Sequence, residues 1–233
     1  MSFFENLPRL GGWLLIGVAV TSLVYVITGT GIDTGRDEIA DSLRDLRDNK
    51  ELFFISRAAH VLLAVLLVAS GVVIYRLLGT ATIAALGAFG FIASGILSAV
   101  TDAAALSVYT MAVDLEEGGA GGAGEPEILE VARAIGFLAV YSSHTALTFL
   151  GAGLICLGVW MVSTNRTVGG WLGVVAGIGL LLVWLEALEE DLFFVALAGG
   201  LLFVAWLVGT AVTLLRLGGG SDDTPDTEAT EAG

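Results

Sequence analysis

The chain carries one cysteine, one lysine, two histidines and three prolines in 233 residues, and each scarcity narrows what it can be. A single thiol, Cys156, makes no intrachain disulfide, and inside an apolar stretch it reads as a small core residue. With only His60 and His144 and no HExxH, a metalloprotease-type zinc site has no motif to start from. GxSxG and phosphate-loop sequences are missing too, so serine-hydrolase and nucleotide-cradle readings lack their signatures. Ser142 and Ser143 adjoin His144, but adjacent residues on a helix point apart. The prolines, Pro8, Pro126 and Pro225, lie outside the long apolar stretches, so none breaks a helix at midspan.

Basic charge is also scarce. There are 24 acidic residues against 10 basic, a net charge of -14, and Lys50 is the sole lysine. That balance resembles the protein style of extreme halophiles, where carboxylates keep a surface hydrated while salt screens their repulsion. A halophilic archaeon is the expected source. The acidity then advertises no cationic partner, and nucleic acid is not an expected one.

What the chain has in abundance is apolar sequence: 56% hydrophobic residues and a mean hydropathy of +0.88. Six stretches hold most of it: Gly11–Thr28, Phe53–Tyr75, Ala81–Thr101, Ala134–Ser163, Val168–Ala187 and Leu192–Leu215. A helix rises about 1.5 Å per residue, so roughly 20 apolar residues cross about 30 Å of hydrocarbon. The expected fold is all-α: a polytopic integral membrane protein, a six-transmembrane-helix bundle spanning residues 1–216. Glu5 and Arg9 precede a full-length span with no small-residue cleavage pattern after it, so span one is expected to be a retained anchor.

Between spans the sequence changes character. In 33–51, Ile39, Leu43 and Leu46 share one helical face while Arg36, Asp37, Asp41, Arg44, Asp45 and Asp48 take the others. This predicts an amphipathic helix, lying on the membrane surface or hairpinned onto the next span. Residues 115–128, with the run EEGGAGGAG, read as a flexible acidic linker, and 217–233 as a disordered acidic tail. His60 and His144 are each followed 42–45 residues later by an acid, Asp102 or Glu189, with Leu86-Gly87 or Leu172-Gly173 between, the pattern of two related hairpins. Gly169, Gly173 and Gly177, and Gly90, Ser94 and Ser98, place small residues four apart, which predicts close helix packing and leaves room for a homodimer interface. Arg9, Arg76, Arg166 and Arg216 fall at one membrane side, which predicts cytoplasmic termini in the cell membrane, although Arg36, Arg44, Arg47 and Lys50 lie on the other.

Polar groups inside a membrane are costly, so their placement carries functional information. Arg57, His60, Asp102, Arg133, Glu186 and Glu189 fall at span ends on the same side, with Tyr141 and His144 deeper. The opposite half is dry. These eight residues would line a water-accessible vestibule, or else Arg57 and Arg133 would pair with Asp102 and Glu186 to tie the bundle ends. Two sharper chemistries use the same residues. His60 and His144 would serve as axial ligands of one haem b, with Arg57 and Arg133 on its propionates; or His60, His144, Asp102 and Glu186 would hold a hydrolytic metal. A carrier relaying protons or a solute is a third use of the same groups.

One resemblance is carried by the second half. Arg166 precedes Gly169-Gly170-Trp171-Leu172-Gly173 and Gly177; Gly199-Gly200 leads to Trp206-Leu207; and the last span closes at Leu214-Leu215-Arg216. Ile74-Tyr75-Arg76-Leu77-Leu78 ends span two in the same manner. With these, the chain resembles a family of small prokaryotic membrane proteins known only as a domain of unknown function (DUF4386), over most of Gly11–Arg216. The long acidic first loop and the glycine linker depart from that pattern. The resemblance implies a six-span bundle and carries no catalytic residue. The expectation is a non-enzymatic accessory protein or small-solute or ion binder surrounded by lipid, with the haem protein as alternative and the metal-dependent hydrolase third.

Overall fold

The computed structural model describes residues 6–28, 39–78, 80–116, 125–182 and 193–219, and every regular element among them is an α-helix. These are α1 (Leu7–Thr28), α2 (Ile39–Asp48), α3 (Lys50–Leu78), α4 (Thr82–Glu116), α5 (Glu125–Ser163), α6 (Thr167–Leu181) and α7 (Phe193–Gly219). Pro8 and Pro126 sit in the first turns of α1 and α5, where a missing N–H costs no helical hydrogen bond. Between α5 and α6 the chain turns in three hydrogen-bonded residues, with Asn165 at φ 64°, a left-handed conformation that asparagine tolerates better than most.

Five helices are long and apolar enough to cross a membrane: α1, α3, and the parts Thr82–Leu115, Pro126–Ser163 and Leu197–Gly218 of α4, α5 and α7. The fifth expected span is not matched in length among the described residues. Val168–Ala187 was the expected range, whereas α6 has 15 residues, or about 22 Å at 1.5 Å each, short of the hydrocarbon thickness. Residues 183–192, which include Glu186 and Glu189, lie outside the described residues.

Six helices nevertheless close a ring. Taken in order, α1, α3, α4, α5, α6 and α7 each adjoin the next, and α7 returns to α1. The interior is packed with apolar side chains, Leu15, Val18, Leu67, Phe91, Leu154, Leu180, Trp206 and Leu207 among them. Large apolar residues also cover the outside, including Trp13, Val65, Phe89, Trp171 and Leu201. A helix that is apolar on all sides belongs in lipid. This is a helical membrane bundle.

Without a hydrophobic drive between helices in lipid, close approach supplies the adhesion, and small residues permit it. A Cβ added to Gly90 would lie 2.6 Å from Gly153 Cα on α5, and one on Gly177 would lie 2.5 Å from the Gly151 carbonyl oxygen. Gly173 gives its space to the Trp206 indole and Gly169 faces the end of Met161, so all three glycines of the α6 motif meet neighbours within the chain. Ser94 and Ser98 are buried on α4.

The polar end of the ring is taller than the sequence expected. Spans three and four were placed at Ala81–Thr101 and Ala134–Ser163, but α4 continues to Glu116 and α5 begins at Glu125. The segment 115–128 is thus helical at both ends, with 117–124 outside the described residues. If α4 enters the hydrocarbon near Thr82, it leaves it about 30 Å later, near Asp102, and its remainder rises about 20 Å beyond. On that rise lies α2; of the expected 33–51, residues 33–38 lie outside the described residues and 50–51 open α3. Ile39, Leu43 and Leu46 are buried with Phe53, Ala105, Val108, Ala112 and Ala132. The apolar face of α2 therefore rests on protein, against α3, α4 and α5, rather than on lipid. At the other end α7 runs to Gly219, so 217–219 are helical and 220–233 are not among the described residues.

Candidate functional site

The polar cluster forms where the ring meets the α2 cap. Arg57 and His60, three apart on α3, face inward together, and the neighbouring α4 presents Asp102 to both. Asp102 Oδ1 accepts a hydrogen bond from Arg57 Nη1 at 3.4 Å and lies 2.9 Å from His60 Nδ1. A carboxylate oxygen only accepts, so His60 carries its hydrogen on Nδ1 in this contact. All three residues are closed off, at 6%, 5% and 2% exposure for Arg57, His60 and Asp102.

Aromatic rings complete the enclosure. Tyr25 of α1 stacks on the His60 imidazole with centroids 4.3 Å apart. The Arg57 guanidinium carbon lies 5.4 Å from the Tyr25 centroid and 5.7 Å from that of Phe53, so the cation has a π face on each of two rings. Phe53 in turn stacks on Tyr109 at 5.1 Å. One residue before Asp102, Thr101 Oγ1 is 2.9 Å from Ser142 Oγ and ties α4 to α5. Sequence reasoning missed Tyr25, Phe53, Ser56, Thr101 and Ser142. The only signal for the hydroxyl pair was that Thr101 and Ser142 interrupt apolar stretches; nothing in the sequence linked Tyr25 to His60.

Of the other expected site residues, Glu186 and Glu189 lie outside the described residues. His144 is half-buried and donates from Nδ1 to the Val140 carbonyl of its own helix at 2.8 Å. Tyr141 is 57% exposed and Arg133 is exposed. No contact joins α3 to α5, with α4 standing between them, and His60 and His144 have different Nδ1 partners. Among the described residues no group of three or more His, Cys, Asp or Glu is placed to hold a metal ion.

Three atoms of the cluster have no partner. Arg57 Nε, Asp102 Oδ2 and Ser56 Oγ are buried without a hydrogen bond. An orphaned buried polar group costs about 1–3 kcal/mol, so two on the bonded Arg57–Asp102 pair and a third on the residue before Arg57 are a conspicuous local cost. The Arg57–Asp102 ion pair leaves one free donor, one free acceptor and the Ser56 hydroxyl.

The profile of a family described as a domain of unknown function (DUF4386) matches residues 10–217. The chain belongs to that family. The match runs from the first turns of α1 to the end of α7, so the ring, the α2 cap and the Arg57–His60–Asp102 cluster all fall within DUF4386. Neither a curated protein nor a solved structure matches the chain.

Proposed function

We propose that this DUF4386 protein is a non-enzymatic membrane binder of a small uncharged solute that both donates and accepts hydrogen bonds, held at the Arg57–His60–Asp102 cluster. The observation that carries the reading is the set of orphaned atoms. Arg57 Nε needs an acceptor, Asp102 Oδ2 needs a donor, and Ser56 Oγ takes either. An amide, a small alcohol or a water meets that demand; a bare cation or anion satisfies only half of it. The His60–Asp102 contact resembles the orienting half of a hydrolytic triad, but no hydroxyl or thiol hydrogen-bonds His60 among the described residues.

The test uses the full chain in phosphatidylcholine nanodiscs, with acetamide and ethylene glycol as probes. A ligand at about 100 times its Kd stabilises the folded state by about 2.7 kcal/mol. The unfolding midpoint should rise with probe concentration in the wild type and stay flat in Ser56→Ala, which removes one orphan without touching the charge pair. Equal responses in the two proteins would remove the solute site. A Soret band in protein expressed with supplied haem, lost in both His60→Ala and His144→Ala, would replace this reading with the haem one.

The placement proposed for the bundle is the cell membrane, with the arginine-bearing end cytoplasmic. The start of α1 and the end of α7 lie together there, since Arg9 packs against Gly218. In a Cys156→Ser background, Thr80→Cys should resist a membrane-impermeant maleimide in intact cells while Ser42→Cys reacts. The reverse pattern inverts the orientation.

A further inference from the structure

At the end of the ring opposite the polar cluster lies an apolar cavity of about 170 Å³, lined by four of the six ring helices and by Arg166. Pro8 and Leu15 come from α1, Ile74, Leu77 and Leu78 from α3, Leu157, Trp160 and Met161 from α5, and Trp206, Thr210, Leu214 and Leu217 from α7. Arg166, just ahead of α6, is the one charged residue in the wall. A dry cavity of roughly 150 Å³ admits a benzene-sized group, so this one takes an apolar body of about that size.

Among the described residues its rim has one sign of charge. Arg76 immediately precedes Leu77 and Arg216 immediately precedes Leu217; both arginines, like Arg166, are exposed. Arg9 is the third residue of α1. Among the described residues no Asp or Glu lies at this end: none occurs in 6–10, 76–82, 160–170 or 210–219. Arg76, Arg166 and Arg216 beside an apolar hole make a complement for a molecule with an anionic head and a short apolar body. Guanidinium groups pair with carboxylate or phosphate in fork geometry and desolvate more easily than ammonium.

We infer that this cavity is a binding site for an anionic amphiphile, its carboxylate or phosphate on Arg166 and its apolar body against Trp160, Trp206 and Leu157. The site is separate from the Arg57–His60–Asp102 cluster and stands or falls independently of it. The ligand reaches it either as a free aliphatic carboxylate or as part of an anionic lipid, two sources with one chemistry.

The experiment measures octanoate binding to the full chain in phosphatidylcholine nanodiscs by calorimetry, with octanol as the uncharged control. Octanoate should bind saturably and more tightly than octanol. Arg166→Gln should weaken octanoate about tenfold, the loss of one charge-assisted hydrogen bond, and leave octanol unchanged. Thr210→Leu, which fills the cavity with an apolar side chain, should abolish both. If phosphatidylglycerol in the disc competes octanoate away, the natural source is lipid; if it does not, the source is a free acid. Octanoate affinity equal in wild type, Arg166→Gln and Thr210→Leu overturns the site, as does a lack of saturable binding. Binding that emerges only after Asp222, Asp223, Asp226, Glu228 and Glu231 are changed to amides would make the acidic tail the occupant and overturn it too.

Discussion

Asp102→Ala should destabilise the protein by about 3–5 kcal/mol, a large share of the stability of an ordinary domain. The reason is the charge left behind. Asp102 compensates Arg57 at 3.4 Å and holds His60 at 2.9 Å, with both partners almost wholly buried. Removing the carboxylate strands a buried guanidinium that, among the described residues, pairs with Asp102. Asp102→Asn keeps the shape and an acceptor for His60 but loses the countercharge, so it should remain well below wild type. The double change Arg57→Met with Asp102→Leu should recover most of the loss, because a buried ion pair and a packed apolar pair of similar volume are near equal in free energy. Reversible unfolding in bicelles or mixed micelles reads all four proteins. A single Asp102→Ala variant within about 1 kcal/mol of wild type would mean the cluster is solvated in the membrane.

Gly90→Ala should be the costliest single methyl in the bundle among the substitutions considered. Its Cβ would meet the Phe149 carbonyl oxygen at 2.5 Å and Gly153 Cα at 2.6 Å, both backbone atoms that no rotamer change can move aside. The α4–α5 pair must separate, and overpacking of this kind costs about 1–3 kcal/mol. The gain in helix propensity, about 1 kcal/mol, offsets only part of it. Gly209→Ala is the matched control. Nothing lies within 4 Å of its Cβ position, so only the propensity gain remains and stability should hold or rise. The same unfolding assay separates the two, and equal stabilities would show that α4 and α5 do not pack backbone to backbone.

These two substitutions mark different kinds of legibility. The Gly90, Ser94 and Ser98 spacing announces a close-packing face, because one small residue per helical turn has few other uses in lipid. That the face meets Gly153 of α5 is not in the spacing. Likewise, the sequence puts His60 and Asp102 at one membrane end 42 residues apart, and their 2.9 Å contact follows from α3 and α4 being antiparallel neighbours. It could not tell that His144 turns to its own helix at Val140, nor that Tyr141 points outward at 57% exposure. Helical periodicity fixes which residues share a face, while the rotation of that face toward a neighbour depends on packing.

The helix ends show the same limit. Hydropathy located the apolar part of α4 and α5 but stopped at Thr101 and resumed at Ala134, because residues beyond the hydrocarbon need not be apolar to stay helical. There α2 supplies the cover: Ile39, Leu43 and Leu46 bury Ala105, Val108 and Ala132. The same period-three-and-four pattern fits a helix on lipid or a helix on protein, since both partners ask only for one apolar face.

By itself, then, the sequence determined that this is a helical membrane protein of the DUF4386 kind, with the ionisable groups of its spans gathered at one end. Length and apolarity suffice for that, because backbone hydrogen bonds in lipid leave a helix almost no alternative. Tertiary structure alone decided that six helices close a ring, that Tyr25 and Phe53 flank Arg57, and that Asp102 serves two partners at once. Those outcomes depend on which helix stands beside which, and at what rotation, and apolar faces that look alike in sequence are told apart only by packing.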